Sequence, residues 1–336
     1  MAEAKRAGSA PISGMALLAC GLAVLVLGPL VAQSLGEPFY IRLFTRIAVM
    51  AIAAVSLDLI LGYGGMVSFG HAAFVGIGAY VTAILAYHAA AGEPLLAWPM
   101  VIPGTDNAVI AWPLAVAAAA LAALVIGLVS LRTTGIAFIM ITLAFAQMLY
   151  FFVIALQKYG GEDGLQMAGR SRLGGLDLDG RLTFYYLVLA VLIAVIVCCR
   201  RLVGSRFGMV LQGCRQNERR LRAIGFATER YRLAAFVMSG AIAGLAGVLL
   251  ANGQNYVSPA DLAWTRSGEY IVMVVFGGMG TLIGPLLGAA AYLVLELLLG
   301  SATTHWQAIF GPVLIVIVLF AKRGLYGALV GRADDG

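Results

Sequence analysis

Charge is scarce in this 336-residue chain: Asp, Glu, Lys and Arg together make up only 11%, against about a quarter in an ordinary soluble domain. Lysine is nearly missing, with Lys5, Lys158 and Lys322 alone. None of the three stands in the G-x-x-x-x-G-K-[ST] context that cradles nucleotide phosphates, so any ATP-driven work must be energised from outside the chain. Histidine is confined to His71, His88 and His305. They form no His-x-x-His or Glu-x-x-His pair on a helix face, which argues against a helix-borne metal centre and discounts a membrane enzyme. Cys20, Cys198, Cys199 and Cys214 have neither metal-ligand spacing nor the pattern of a disulfide framework. Long polar stretches are few, which leaves no room for a soluble catalytic domain.

What is present is apolar: 62% of the residues are hydrophobic and the mean hydropathy is +0.96. These values describe an all-α integral membrane protein, because only helices or closed barrels satisfy their backbone inside lipid. Apolar runs of about span length predict some ten transmembrane helices, near residues 15–35, 43–61, 72–87, 112–131, 134–156, 183–199, 233–252, 269–277, 285–299 and 307–321. Lys5 and Arg6 precede the first run, and Lys322 and Arg323 follow the last, which puts both termini in the cytoplasm. The first run is too long for a cleaved signal segment and reads as a retained span. This gives a tail at 1–14, a membrane domain at 15–323 and a tail at 324–336.

Arginine is concentrated in one place. Residues 200–232 hold nine arginines against Glu218 and Glu229, a net +7 where the whole chain has +6. An Arg costs about 2.5–3.5 kcal/mol at a helix centre, and short Arg-rich loops stay cytoplasmic. The basic pI of 9.2 is explained by this loop, with no need of nucleic acid. Asn217 fits an N-cap and Glu218 the acid-favouring first turn, while Gly225 fits the left-handed position past a helix end. Between them a short helix over 218–224 is predicted, with Arg215, Arg219 and Arg222 on one side and Ala223 in its last turn. Such a capped knob at the membrane surface suits docking of a soluble partner; the same composition suits a solvated loop touching lipid headgroups.

Two glycine-rich stretches interrupt the spans: GYGGMVSFGH at 62–71 and FGGMGTLIGP at 276–285. They predict broken or re-entrant elements, tolerated where protein or water satisfies the freed backbone. Helices opening after them would aim positive dipole ends at an anionic group. The candidate path residues are therefore Ser68, Gly70, His71, Gly278, Gly280 and Thr281, joined by Thr142 and Gln147 as polar positions in an otherwise apolar span. Glycine also serves close helix packing, Thr can bond its own backbone, and His71 reads as a satisfied structural histidine before a substrate ligand.

On these residues the chain resembles a known family. The stretches 57–80, 134–152, GGEDGL at 160–165, SRFGMVLQGCRQNERRLRAIGF at 205–226, 276–289 and 311–327 resemble the LivM-type permease subunits of bacterial ABC importers for branched-chain amino acids. The resemblance implies an importer permease fold in the bacterial inner membrane, a second homologous permease subunit, two cytoplasmic ABC ATPase subunits and a periplasmic substrate-binding protein. It matches 218–225 to the loop that couples such permeases to their ATPases, although Arg219-Arg220-Leu221 replaces the usual early Glu-Ala-Ala. No cofactor is implied in this chain itself, since ATP is used by the partner subunits. Related systems carry urea, amides or aromatic acids. The competing class is an ion-coupled secondary transporter using Asp58, Glu269 or Glu296.

Overall fold

The computed structural model describes residues 14–96, 102–175, 178–302 and 324–330, with 305, 308, 311 and 312 between them. Helices dominate: α1 (Gly14–Ser34), α2 (Pro38–Asp58), α3 (His71–Ala91), α4 (Ala108–Ser130), α5 (Ile136–Ala155), α6 (Arg181–Val203), α7 (Arg206–Ala223), α8 (Thr228–Gln254), α9 (Trp264–Gly277), α10 (Gly284–Ala302) and α11 (Gly324–Val330). Seven helical segments among the described residues are long and apolar enough to cross a membrane, so the protein is a multi-pass helical membrane protein. The expected last span, 307–321, falls almost wholly outside the described residues.

Burial divides the bundle into a centre and a shell. The apolar window of α2 is 83% buried and that of α5 only 22%, so α2 is a core helix and α5 faces lipid or a partner. Packing explains the centre, because lipid tails remove the hydrophobic drive between spans and leave close fit to hold helices together. Buried alanines recur every fourth residue on α4, at Ala111, Ala115, Ala119 and Ala123. Gly240 and Gly244 of α8 meet that stripe at Ala123 and Ala119, and Gly244 meets Gly78 of α3 backbone to backbone. Small residues on three helices thus let α8 touch α3 main chain to main chain and α4 through its alanine methyl groups.

At one end of the bundle two loops are tied into a platform. Strand β3 (Leu165–Gln166) pairs antiparallel with β4 (Tyr256–Val257), Leu165 opposite Val257. Asn252 Oδ1 accepts the Ser171 N–H at 2.7 Å, and Arg172 pairs with Asp106 at 3.0 Å. Short strands Pro94–Leu96 and Ile102–Pro103 form a second antiparallel pair nearby in the chain. The opposite end carries α7, set between the end of α6 and the start of α8.

The expected tail at 324–336 begins as α11, whose Gly324 is buried against the backbone of Gly277 and Gly278. The rest of that tail, and 1–13, lie outside the described residues.

Candidate coupling helix and paired glycine breaks

Helix α7 forms because Ser205 caps its start, accepting the Gly208 N–H, and its apolar positions Leu211 and Cys214 are buried. It is two pieces joined at Asn217, whose backbone is extended (φ −159°, ψ 92°). Asn217 Oδ1 accepts the Arg220 N–H at 3.0 Å, so it caps the second piece as the sequence predicts. Gly225 ends that piece in the left-handed region at φ +92°, with its N–H on the Arg222 carbonyl and the Phe226 N–H on Leu221. These bonds satisfy the final carbonyls of the turn.

Glu218 does more than favour a dipole. Its carboxylate accepts from Arg222 at 2.8 Å, Thr228 Oγ1 at 3.2 Å and Arg232 at 3.1 Å. Arg222 also reaches Glu229 at 3.1 Å. The second piece is therefore tethered to the start of α8. The predicted grouping of Arg215, Arg219 and Arg222 on one side does not form: Arg222 belongs to the tether, Arg219 is exposed, and Arg215 turns toward the membrane domain. Arg219, Arg222, Ala223 and Gly225 remain on the exposed surface, together with Met209, Ile224 and Phe226. That surface is basic and apolar at once.

Arg215 leads to the first glycine break. Its guanidinium donates to the Gly62 carbonyl and its Cγ lies against Gly65, which has φ +67°. Here α2 passes into a π-helical turn (Leu59–Tyr63), then an irregular segment runs to α3. The second break follows α9, a helix of 14 residues and so about 21 Å long, short of the roughly 30 Å hydrocarbon core. Its turn carries Gly278 (φ +119°), Gly280 (φ +76°) and Leu282 (φ +56°). Thr281 Oγ1 donates to the Gly278 carbonyl at 2.7 Å and accepts the Gly284 N–H at 3.0 Å, closing the turn on itself.

Asp58 joins the two breaks. Its Oδ1 accepts the Gly280 N–H at 2.8 Å and its Oδ2 the Leu282 N–H at 3.4 Å, while Gly62 packs on Gly280. The two glycine-rich stretches, similar in sequence, thus meet in space. Their junction is fastened from the α7 side by Arg215. This role of Asp58 escapes a reading of the sequence, where its only signal is an acid at a span end just before glycines.

The other predicted path residues are placed differently. Ser68, Gly70 and His71 are buried. Ser68 Oγ accepts the Gly70 N–H at 3.3 Å, and Ser267 of α9 takes the Ala72 N–H at 2.9 Å. The N–H groups of Gly70 and Ala72 at the opening of α3 are therefore occupied within the chain in this conformation, where the sequence reading has them aimed at a substrate carboxylate. His71 Nε2 meets Ser56 Oγ at 2.7 Å in the core, while its Nδ1 is buried with no hydrogen-bond partner among the described residues. Thr142 Oγ1 bonds the Ile139 carbonyl at 2.9 Å and accepts the Phe69 N–H at 3.3 Å, so α5 braces the first break. Gln147, half-buried on α5, is not bonded to any described residue.

The carboxylates that an ion-coupled carrier needs are engaged within the chain: Glu296 with Arg46 at 3.0 Å, Glu269 with Arg266 at 2.8 Å, and Asp58 with the backbone of the second break.

A many-span helical bundle with paired half-membrane breaks and a capped basic helix fastened to them has the make-up of a transport permease. A family model described as branched-chain amino acid transport system / permease component matches residues 39–320, and the chain belongs to that family. It is 25% identical over 305 residues to the high-affinity branched-chain amino acid transport system permease protein LivM of Salmonella typhimurium, covering 84% of this chain and 68% of that protein. The Escherichia coli LivM gives the same figures. The probable permease protein LivH of Methanocaldococcus jannaschii is 30% identical over 129 residues, 36% of this chain and 39% of that protein. No solved structure matches.

Proposed function

We propose that this chain is the permease subunit of a binding-protein-dependent ABC importer, forming part of the translocation path for branched-chain or other hydrophobic amino acids. In this reading it pairs with a second homologous permease in the bacterial inner membrane, with both termini and α7 in the cytoplasm. Two ATPase subunits bind the exposed basic and apolar face of α7 and supply the ATP hydrolysis. A periplasmic binding protein delivers substrate to the platform tied by β3 and β4.

The observation that carries the reading is the continuous run of contacts from α7 through Arg215 to Gly62, and from Asp58 to Gly280 and Leu282. A pull on α7 reaches both breaks through two side chains, so closure of the ATPases has a mechanical route to the path. The switch is then a two-state rearrangement biased by partner affinity for one state. Gln147, on the same helix as Thr142, is a candidate side chain to meet substrate.

The test is uptake of radiolabelled leucine, with urea and an aromatic acid as competitors, into proteoliposomes holding the permease pair. Uptake is expected only with the ATPases, the binding protein and ATP all present. Accumulation driven by a proton or sodium gradient without ATPases defeats the proposal in favour of an ion-coupled carrier. Inhibition by urea or the aromatic acid alone reassigns the substrate and leaves the mechanism standing.

A further inference from the structure

At the end of the bundle remote from α7, four arginines converge on a cavity of about 320 Å³: Arg42 and Arg46 of α2, Arg181 opening α6, and Arg170 from the preceding loop. Two are already engaged. Arg46 pairs with Glu296, and Arg170 lies 4.4 Å from the Phe184 ring centroid while donating to the Asn252 carbonyl at 3.0 Å. Arg42 and Arg181 are exposed and make no ion pair with a described residue. No carboxylate stands among the cavity's described lining residues. Helix α6 also begins here, so its positive end adds to the guanidiniums. Arg42 and Arg46 are like charges one turn apart, an arrangement that weakens a helix by itself. Among the described residues, Arg42 and Arg181 are therefore the two guanidiniums left to take an anion.

A groove of about 570 Å³ shares Arg42 and Arg46 and continues between α2 and α10, where Phe39, Leu43, Leu293 and Leu297 wall it and the lining carboxylate, Glu296, is taken up by Arg46. Leu297 is exposed on the outer face of α10. A cationic cavity opening into an apolar trough along two spans fits an amphiphile with a negative head. We infer that this is a binding site for an anionic phospholipid, its phosphate held by Arg42 and Arg181 and one acyl chain laid along α2 and α10. The inference stands apart from the transport reading, since it uses none of the groups at α7 or the breaks.

The experiment is native mass spectrometry of the assembled, delipidated permease complex, titrated with phosphatidylglycerol, zwitterionic phosphatidylethanolamine or free glycerol phosphate. Phosphatidylglycerol is expected to be retained in preference to the other two. An interfacial arginine contributes about a factor of five, so Arg42→Gln with Arg181→Gln lowers that binding roughly thirty-fold. Leu297→Trp, which fills the trough and spares the arginines, weakens phosphatidylglycerol and leaves glycerol phosphate unchanged. Arg172→Gln, an exposed arginine of the same end already paired with Asp106, serves as the control and changes nothing. Equal retention of the two lipids, binding untouched by the double substitution, or glycerol phosphate binding as tightly as the lipid overturns the assignment. So does a complex in which the second permease covers the groove and excludes lipid.

Discussion

At the scale of single residues, Gly225 is the cleanest test of the coupling helix. An added Cβ there meets nothing within 4 Å, so the cost of a substitution is set by its φ of +92° alone. A β-branched side chain in the left-handed region costs about 1–2 kcal/mol, enough to release the last turn of α7. If the proposed importer reading holds, Gly225→Val is expected to leave the complex assembled but to make ATPase activity insensitive to loaded binding protein, while Gly225→Asn, which tolerates that backbone, restores most of the response. Wild-type stimulation in the Val variant sinks the cap's role. A second residue carries a pH signature. Burial raises the Asp261 carboxyl above the ordinary carboxylate range, although Arg266 and the Ser258 N–H pull the other way. An acid raised in the folded state binds its proton more tightly there than in the unfolded chain, so stability falls as pH rises through that interval. Asp261→Asn keeps an acceptor for the cap and removes the titration. Melting temperature should therefore fall less in the variant than in the native chain as pH rises above the ordinary carboxylate value.

At the scale of elements, the broken helices separate what a sequence displays from what it conceals. The N-cap at Asn217 and the left-handed Gly225 are legible because each is satisfied by backbone within a few residues. The breaks themselves are legible because glycine density is local. Their meeting is not: Asp58 and Gly280 are joined across 222 positions, and no spacing rule reaches that far. The same holds for Arg46 and Glu296, 250 positions apart. The clasp makes its own prediction. Asp58→Asn keeps one acceptor but turns an amide N–H₂ toward a backbone N–H, stranding Gly280 or Leu282 at a cost of about 1–3 kcal/mol. Hydrogen exchange over residues 278–283 should speed about ten-fold or more, in step with that loss. Arg215→Gln, acting on Gly62, should raise exchange at the first break and leave the second less affected. Unchanged protection in both variants means that helix packing, not these side chains, holds the breaks.

At the scale of the whole molecule, the membrane class and the order of spans follow from hydropathy and arginine placement, since both are summed properties of long stretches. Which helices lie at the centre does not follow, because α2 and α5 are comparably apolar yet differ sharply in burial. The distinction rests on small residues that hydropathy scores as ordinary: the alanine stripe of α4 and the glycines of α8. Gly244 sits where three helices meet, its backbone against Gly78 of α3 and its α-carbon facing Ala119 of α4. An added Cβ there would stand 2.4 Å from the Ala119 Cβ, a methyl group on a rigid helix that cannot retreat. Gly244→Val should therefore force α8 away from α4, at a cost of about 1–3 kcal/mol or more. Thermal unfolding in detergent should shift down markedly and the permease pair should fail to assemble. Leu128→Val, on the exposed face of α4, should do neither. A Gly244→Val protein that melts with the native one would mean that this three-helix contact does not hold the bundle.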